Sequence, residues 1–390
     1  MSAQVLSLGC RLNLSESERL RGLLAEADDL VVVNSCAVTA EAVRQTRQAI
    51  RRARRARPDA RLLVTGCAAE VEREMLAGMP EVDGLVGNAV KLDPRAWNAP
   101  AHRPAAPTLH TRGFVQVQNG CDHACTFCVI PQGRGPSRSR SLPEVVAEIA
   151  QLADSGIAEV VLTGVDLTAW GADLPAPARL GDLVAAILLS VPALPRLRLS
   201  SLDSVEIDPL LVDLIGHEPR VMPHLHLSLQ SGDTTILKRM KRRHAPGDAV
   251  RLVETLLTLR PEIAIGADLI AGFPTEDEAA HQGNLSLIAE LRVVHGHVFP
   301  YSARPGTPAA RMPQVDGATI RRRAGELREA VALERERWLR SLIGTPLTVL
   351  AERDGTGHAG NFARVQLPPG AGPGALVEIV PTRLSEGLLA

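Results

Sequence analysis

Residues 113–131 read GFVQVQNGCDHACTFCVIP and join an apolar strand to a loop with three cysteines. Cys121, Cys125 and Cys128 have C-x3-C-x2-C spacing, close enough to surround one metal centre, and soft thiolates select iron–sulfur clusters, zinc or copper. A structural zinc site usually pairs two short ligand clusters, and no second cluster of that kind follows. A four-iron cluster held by three cysteines instead of four leaves one iron open for chemistry. His123 is an alternative fourth ligand. In a second alternative, the three cysteines are ordinary buried core residues without a metal, an interpretation that the polar residues of the loop disfavour.

The strand in this stretch is the first of six apolar segments that alternate with helical patterns such as Pro143–Ser155 and Pro246–Leu259. This alternation predicts parallel βα units. Six units in about 190 residues predict a partial (β/α)6 barrel rather than a complete one of eight. The candidate strands are Gly113–Val117, Val160–Thr163, Arg196–Ser200, His224–Leu229, Ala264–Ile270 and His297–Tyr301.

The first hundred residues repeat the alternation on a smaller scale and predict an N-terminal parallel-sheet domain. The candidate strands are Val5–Leu8, Leu30–Val33 and Leu62–Val64. The helical segments that follow them are Ser15–Ala27, Thr39–Arg57 and a third from Ala68 onward. At the other end of the chain, short strands separated by Gly and Pro predict a small β-barrel after a charged helix, Ile320–Leu342. We expect domains at 1–98, 113–340 and 341–390, with a Pro- and Ala-rich linker at 99–112.

The other three cysteines, Cys10, Cys36 and Cys67, each follow one of the N-terminal strands. The carboxyl ends of parallel strands gather ligand-binding residues at one edge of a sheet. Three thiols there can converge on a second cluster with an open iron. The alternative is that each cysteine is a buried small residue at a tight turn.

Composition narrows the functional classes. The chain of 390 residues has 43 basic and 44 acidic side chains, so any nucleic-acid or membrane partner has to be recognised by local patches. Six cysteines are too few for a disulfide scaffold, and nine aromatic residues predict an aliphatic core. The start lacks a secretory signal, and the longest apolar stretch, Leu183–Leu194, is too short to cross a bilayer. We expect a cytoplasmic protein with reduced thiols and no membrane partner.

The cysteine loop resembles the signature of the radical S-adenosylmethionine superfamily, and its surroundings, VQNGCDHACTFCVIPQGRGPSRSR, resemble the methylthiotransferase branch. The likeness extends along the chain through LGCRLNLSES, VVVNSCAVTAEA, LLVTGCAA, LHLSLQSG, LKRMKRRH, GADLIAGFPTE and YSARPGTPA. The C-terminal GHAGNFARV resembles the RNA-binding TRAM domain of that family. Ser35, where the family usually has Thr, and the loosely matching GVDLTAWG are departures, and neither removes a cluster ligand.

The resemblance implies two [4Fe–4S] clusters, S-adenosylmethionine and a tRNA anticodon stem-loop as substrate, with an unidentified electron donor and sulfur source. Cys121, Cys125 and Cys128 would hold the cluster that cleaves S-adenosylmethionine to a deoxyadenosyl radical. Cys10, Cys36 and Cys67 would hold the cluster that carries the transferred sulfur. The segment Cys36-Ala37-Val38-Thr39 is similar to the subgroup that modifies N6-threonylcarbamoyladenosine at tRNA position 37. Isopentenyladenosine in tRNA and a ribosomal-protein aspartate are the alternatives within the family.

Further cofactor contacts are expected at the strand ends of the barrel, where such sites are built. Phe127 in the cysteine loop is a candidate for the adenine. The polar strand-end candidates for ribose and carboxylate are Gly164, Asp166, Ser200, Ser201, Gln230 and Ser231, each of which has an alternative role as a turn or cap residue. Asp268, a lone acid in an apolar strand, and Arg304, in an Arg-Pro-Gly turn, complete the set.

Local basic patches are the candidate RNA-binding surfaces. Seven arginines lie between Arg44 and Arg57 with no acid among them, and at helical spacing they cannot all share one face. Two further patches are 238–243 and 134–140. The residues expected to contact RNA are Arg51, Arg52, Arg54, Arg55, Arg138, Arg140, Lys241 and Arg242. From a different functional class, a non-catalytic, zinc-stabilised RNA-binding module would also account for the arginines, the terminal β-domain and three of the thiols.

Overall fold

The computed structural model describes residues 3–99 and 110–390, which form two compact units. The first unit contains the described residues up to Ala99 together with Gln118–Arg138 and Ser302–Pro308. The second contains His110–Val117, Ser139–Tyr301 and Ala309–Ala390. All six cysteines therefore lie in the first unit. Most of the expected linker, 100–109, lies outside the described residues, and the three-domain boundaries stay a prediction.

The N-terminal part of the first unit is a four-stranded parallel sheet in the order β1-β2-β3-β4. Its strands are β1 (Gln4–Ser7), β2 (Leu30–Ser35), β3 (Arg61–Gly66) and β4 (Gly84–Leu85). Its helices are α1 (Arg11–Leu23), α2 (Ala40–Ala56), α3 (Cys67–Val71) and α4 (Arg73–Ala77). Every residue of β2 is buried, as expected for a parallel strand covered on both faces. The expected parallel sheet is confirmed.

Two glycines turn the chain sharply from strand to helix. Gly9 (φ +96°) lets α1 begin at Arg11, four residues before the expected start at Ser15. Gly66 (φ +91°) likewise lets α3 begin at Cys67, and a side chain on Gly66 would collide with the backbone of Ser35. These turns place Cys10 and Cys67 at helix N-termini.

The elements after residue 110 begin with β5 (Arg112–Gln116), β6 (Gln118–Asn119), α5 (Ile130–Arg134) and β7 (Arg138–Ser139). The barrel continues with α6 (Leu142–Asp154), β8 (Glu159–Thr163), α7 (Leu180–Ser190), β9 (Arg196–Leu199), α8 (Pro209–His217) and β10 (His224–Gln230). It ends with α9 (Thr234–Arg239), α10 (Pro246–Leu259), β11 (Ala264–Ala271), α11 (Glu278–Glu290) and β12 (Val293–Pro300).

Six parallel strands of the second unit form two three-stranded sheets, β5-β8-β9 and β10-β11-β12. Parallel bridges at Leu197–Val221 and Leu202–Leu227 link the two sheets. The expected six βα units are confirmed, although β12 begins at Val293 rather than His297 because His295 and Gly296 interrupt its apolar pattern. The core of this unit consists of Val, Leu, Ile and Ala side chains plus Trp170, which confirms the aliphatic core.

A long helix, α12 (Gly317–Ser341), precedes the C-terminal sheet. The sheet strands are β13 (Leu347–Ala351), β14 (Thr356–Ala359), β15 (Arg364–Gln366), β16 (Leu376–Ile379), β17 (Leu384–Ser385) and β18 (Leu388–Leu389). Their order is β16-β13-β14-β15-β18-β17, and closure of this sheet into a TRAM-like barrel stays a prediction.

A buried carboxylate connects this sheet to the barrel strands within the second unit. Glu159 on β8 pairs with Arg198 at 2.7 Å and with Arg112 at 3.3 Å. Arg198 also lies 4.8 Å from the ring centroid of Phe362, which precedes β15. Burial alone would raise the pKa of Glu159, but Arg198 and the neighbouring arginines lower it to about 2.

Among the described helices, none is both long and apolar enough to cross a membrane.

Candidate functional site

Cys10, Cys36 and Cys67 converge at one edge of the N-terminal sheet. A methyl group on Gly9 would lie 2.9 Å from Cys36 Sγ, so the turn before Cys10 passes directly over Cys36. Burial raises the pKa of Cys36 to about 11, and the charges of Cys10 and Cys67 act in the same direction. The thiol of Cys36 therefore keeps its proton at neutral pH unless a metal displaces it. Cys36 and Cys67 are buried and Cys10 is exposed, so solvent reaches this edge of the sheet at Cys10.

Cys121, Cys125 and Cys128 lie half-buried in the loop between β6 and α5. The backbone folds tightly here: Cys128 N donates to Cys125 O at 3.2 Å, and Cys121 N donates to Gly135 O at 3.1 Å. Ile130 N donates to Cys128 Sγ at 3.4 Å. A thiol that accepts a backbone N–H is favoured as a thiolate, the form that binds metals.

Helix α5, just after this loop, packs on the first set of thiols. A methyl group on Gly133 would lie 3.2 Å from Cys67 Cβ. Asn88 Nδ2 donates to Gly133 O at 2.5 Å and lies 4.0 Å from Cys67 Sγ. The two sets of three cysteines are therefore packed together within the first unit.

A cluster of buried charged side chains lies between α1 and α5 in the same unit. Glu16 accepts hydrogen bonds from Lys91 (2.5 Å) and Arg134 (2.8 and 3.1 Å). Arg134 also donates to Asn13 Oδ1 at 2.5 Å. Burial would lower the pKa of Arg134, but Glu16 and the thiols of Cys67 and Cys10 raise it. Arg134, grouped above with a basic surface patch, is buried and does not offer its charge to a phosphate.

All six polar candidates at the barrel strand ends lie where the sequence places them. Gly164 follows β8, Ser200 and Ser201 follow β9, and Gln230 ends β10 at φ +67°. Asp166, also past β8, is buried and accepts from Thr168 Oγ1 at 3.4 Å. These residues share the carboxyl end of the sheets in the second unit.

Ser231 is fully buried and differs from the other strand-end residues. Its Oγ donates to Asn284 Oδ1 at 3.1 Å and accepts from Asp233 N at 3.2 Å. These contacts are those of a turn residue and favour a structural role over a cofactor contact.

Asp268 lies in the middle of β11 rather than at its end. His226 Nε2 and His297 Nδ1 both lie 3.0 Å from its Oδ1. Burial would raise the pKa of Asp268, but its hydrogen bonds with the two imidazoles hold it well below its ordinary range. Asp268 therefore orients two histidines, and a direct contact with a cofactor stays a prediction.

Phe127 and Arg304 belong to the first unit, whereas the other cofactor candidates belong to the second. Phe127 is half-buried in the cysteine loop. Arg304 is buried, and its Nη2 donates to Glu72 Oε1 at 2.6 Å. That ion pair favours a structural role for Arg304.

The arginine run on α2 divides into five exposed side chains and two that bind acceptors of the protein itself. At 100° per residue, the five exposed side chains fall within an arc of about 140°. They are Arg44, Arg47, Arg51, Arg52 and Arg55, and we call them the α2 arginine face. Arg54 points inward and donates to Ala60 O at 2.8 Å and Glu81 O at 2.9 Å, and Arg57 pairs with Asp29 at 3.2 Å.

Two of the four basic candidates outside α2 pair with carboxylates of the protein itself. Arg140 pairs with Glu148 at 2.6 Å, and Arg242 pairs with Asp203 at 2.8 Å. Arg138 and Lys241 are exposed. The contacts of Arg54, Arg140 and Arg242 favour structural roles, whereas Arg138 and Lys241 keep their charge at the surface.

Comparison with known proteins places this arrangement in a family. The Radical SAM superfamily profile matches residues 115–284, and the profile described as Uncharacterized protein family UPF0004 matches residues 2–87. A Rickettsia prowazekii protein named threonylcarbamoyladenosine tRNA methylthiotransferase MtaB is 42% identical over 93% of this chain and 91% of its own. The chain belongs to the radical S-adenosylmethionine methylthiotransferase family.

Relatives named for a different nucleoside also match the chain. A tRNA-2-methylthio-N(6)-dimethylallyladenosine synthase of Cereibacter sphaeroides is 32% identical over 96% of this chain and 94% of its own. Among solved structures, the radical S-adenosylmethionine methyltransferase TsrM of Kitasatospora setae matches with a TM-score of 0.54. That match has 19% identity and covers 72% of this chain and 63% of TsrM, so it supports the fold alone.

Membership in the Radical SAM superfamily makes S-adenosylmethionine and a [4Fe–4S] cluster cofactors of this methylthiotransferase. The Cys121–Cys128 loop fits the cluster, because it offers three half-buried sulfur donors and an N–H bond to one of them. The edge with Cys10, Cys36 and Cys67 has the same donor chemistry.

Sequence reasoning missed the buried residues Asn13, Glu16 and Lys91. The available signal was the mostly polar segment Asn13–Ser17, which begins three residues after Cys10 and is typical of a solvated helix start. In the structure, Asn13, Ser15, Glu16 and Ser17 are all buried.

Proposed function

We propose that this protein is a tRNA methylthiotransferase that adds a methylthio group to C2 of N6-threonylcarbamoyladenosine at position 37, beside the anticodon. The observation that carries the proposal is the pair of three-cysteine sets within one compact unit. Three ligands in each set leave a four-iron cluster with one open iron. Radical formation and sulfur delivery each need an open coordination position.

We infer that Cys10, Cys36 and Cys67 hold a second [4Fe–4S] cluster. The convergence of the three thiols, the burial of Cys36 and the packing of α5 on Cys67 support it. When bound, the two clusters and S-adenosylmethionine supply the radical, the sulfur and the methyl group. The chain positions them: the Cys121–Cys128 loop is tied to α1 through Arg134, and Gly133 packs on Cys67. An external electron donor and a sulfur source complete the reaction.

The nucleoside assignment rests on Cys36-Ala37-Val38-Thr39 and on the 42% identity to the Rickettsia threonylcarbamoyladenosine enzyme, since other enzymes of either name match at 32–34%. Thr39 caps α2: its Oγ1 accepts from Ala42 N at 3.1 Å. The residue that marks the subgroup therefore also fixes the start of α2, the helix after Cys36.

The tRNA would dock through the α2 arginine face. Exposed arginines on one face of a helix attract the phosphate backbone without reading sequence. Helix α2 begins at Ala40, four residues after Cys36. The arginines therefore lie on the helix that directly follows the proposed sulfur-carrying site. A tRNA substrate also implies that the protein works in the cytoplasm.

Nucleoside analysis in a host that lacks its own threonylcarbamoyladenosine methylthiotransferase tests the proposal. We expect the wild-type chain to restore 2-methylthio-N6-threonylcarbamoyladenosine in bulk tRNA and Cys36→Ala to abolish it. Leu189→Ala, a change at a side chain on α7 that is 83% exposed, should leave it intact. Absence of the product with folded, iron-loaded wild-type protein, or a methylthio group on isopentenyladenosine instead, would overturn the substrate assignment.

A further inference from the structure

Glu16 is a fully buried carboxylate with a cation at each of its oxygens. Lys91 Nζ lies 2.5 Å from Oε2, and Arg134 Nη1 lies 2.8 Å from Oε1. The side chains of Lys91 and Arg134 are each 2% exposed and that of Glu16 is 0% exposed. The three groups come from α1, the segment after β4 and α5.

With Lys91 protonated, two cations and one carboxylate give this group of three side chains an excess of one positive charge; burial lowers the pKa of Lys91, whereas Glu16 raises it. The other side-chain partners are neutral amides: Asn13 Oδ1 and Asn119 Oδ1 accept from Arg134 at 2.5 and 2.8 Å, and Asn34 Oδ1 accepts from Lys91 at 3.2 Å. A buried charge without a counter-charge costs several kcal/mol. An anion close to this group would therefore stabilise its charged form.

Each cysteine of the first set is connected to the buried cations through an intervening residue. Asn13, the partner of Arg134, lies three residues after Cys10, and its Nδ2 donates to Ser35 O, next to Cys36, at 3.0 Å. Gly133, adjacent to Arg134, packs on Cys67. An anion bound at the edge formed by Cys10, Cys36 and Cys67 would therefore lie close to the excess charge.

We propose that Lys91 and Arg134, fixed by Glu16, form a built-in counter-charge that sets the reduction potential of the cluster on Cys10, Cys36 and Cys67. This inference rests on the second cluster of the proposed function. A [4Fe–4S] core of charge 2+ held by three thiolates carries a net charge of about −1, which matches the excess of the buried group. Reduction adds negative charge to the cluster, so nearby cations favour the reduced state and raise the potential.

Two neighbouring substitutions should shift the midpoint potential of the cluster in opposite directions. Arg134→Gln removes a cation and should shift the midpoint potential to more negative values. Glu16→Gln removes the anion and should shift it to more positive values. Arg134→Lys keeps the charge and should stay near wild type. A role limited to packing does not predict opposite signs.

The experiment is a potentiometric titration of the full-length protein with Cys121, Cys125 and Cys128 all changed to Ala, so that one cluster remains. Cluster loading is measured first by iron analysis, and the midpoint potential is then followed by electron paramagnetic resonance. Arg52→Gln, an exposed arginine in the same unit, is the matched control and should not move the potential. If Arg134→Gln does not fold, Lys91→Gln carries the same expected negative shift.

The outcomes separate this inference from the second cluster itself. If the triple variant binds no iron, the second cluster is wrong and the inference fails with it. If about four iron atoms bind per chain but Arg134→Gln and Glu16→Gln leave the potential unchanged or shift it in the same direction, only the counter-charge is wrong.

Discussion

Arg134 and Glu16, 118 residues apart in the chain, are joined by two hydrogen bonds of 2.8 and 3.1 Å inside the first unit. Arg134 ends α5, six residues after Cys128, and Glu16 lies on α1, six residues after Cys10. This pair ties the loop that carries one cysteine set to the sheet edge that carries the other. The two sets are therefore positioned by one fold rather than by two independent ones.

Single cysteine changes should separate the two cluster sites. We expect wild-type protein reconstituted anaerobically to bind about eight iron atoms per chain and each single variant about four. Cys125→Ala should lose reductive cleavage of S-adenosylmethionine, because its set holds the cluster that starts the radical. Cys36→Ala should keep that cleavage and lose methylthiolation. Iron analysis and deoxyadenosine release measure the two effects, and cleavage that survives in Cys125→Ala would contradict the assignment.

Gly66 should tolerate no side chain, because its Cβ would collide with the backbone of Ser35. We expect Gly66→Ala to lower the free energy of unfolding by about 1–3 kcal/mol from backbone strain alone, and further from the collision. Gly156 is the matched control: its φ is +89°, but nothing lies within 4 Å of a Cβ there. Gly156→Ala should cost only about 1–2 kcal/mol. Equal losses of stability in chemical denaturation would contradict the steric account.

The α2 arginine face should contribute to tRNA affinity by neutralising phosphates. We expect the combined change Arg47→Gln, Arg51→Gln and Arg55→Gln to weaken tRNA binding. It should also reduce the slope of log affinity against log salt by about 0.7–0.9 for each phosphate that is no longer neutralised. The matched control removes three exposed arginines from α12: Arg321→Gln, Arg337→Gln and Arg340→Gln. If the two triple variants change tRNA affinity and its salt dependence equally, the effect comes from net charge alone, and the α2 arginine face is not a docking surface.

Sequence reasoning located the strands and the cysteines well because both signals are local. Apolar runs marked nine of the parallel strands, and the spacing Cys121–Cys128 marked the loop. The start of α1 was misplaced because a positive φ at Gly9 cannot be read from hydrophobic pattern. The buried group of Glu16, Lys91 and Arg134 was missed because its members are far apart in the chain. In the sequence, Arg54, Arg140 and Arg242 resemble ordinary surface cations. Only their hydrogen-bond and ion-pair acceptors in the structure favour structural roles for them.

His295 should make the stability of the second unit depend on pH. Burial lowers the pKa of His295 to about 3, and the charge of Arg335 acts in the same direction. The unfolded chain takes up this proton near pH 6.5 and the folded chain only near pH 3. The free energy of unfolding should therefore fall as pH drops through this window, by about 1.4 kcal/mol per pH unit from this group.

Between pH 6.5 and about 4.5 the depressed carboxylates Glu159 and Asp268 contribute little, and the pKa of His244, which burial lowers, acts in the same direction as that of His295. His295→Gln should flatten the slope in that window, measured by denaturant unfolding at several pH values. His217→Gln, a change at an exposed histidine, should keep the wild-type slope. An unchanged slope in His295→Gln would mean that His295 is protonated in the folded protein.

The most direct test of the proposed function uses purified, reconstituted protein with S-adenosylmethionine, a reductant and two tRNA anticodon stem-loops. The stem-loops differ only at position 37, which carries N6-threonylcarbamoyladenosine in one and isopentenyladenosine in the other. Mass spectrometry of the digested RNA should show a methylthio group on the first stem-loop and none on the second. A methylthio group on the isopentenyladenosine stem-loop alone, or on neither with both clusters loaded, would contradict the account.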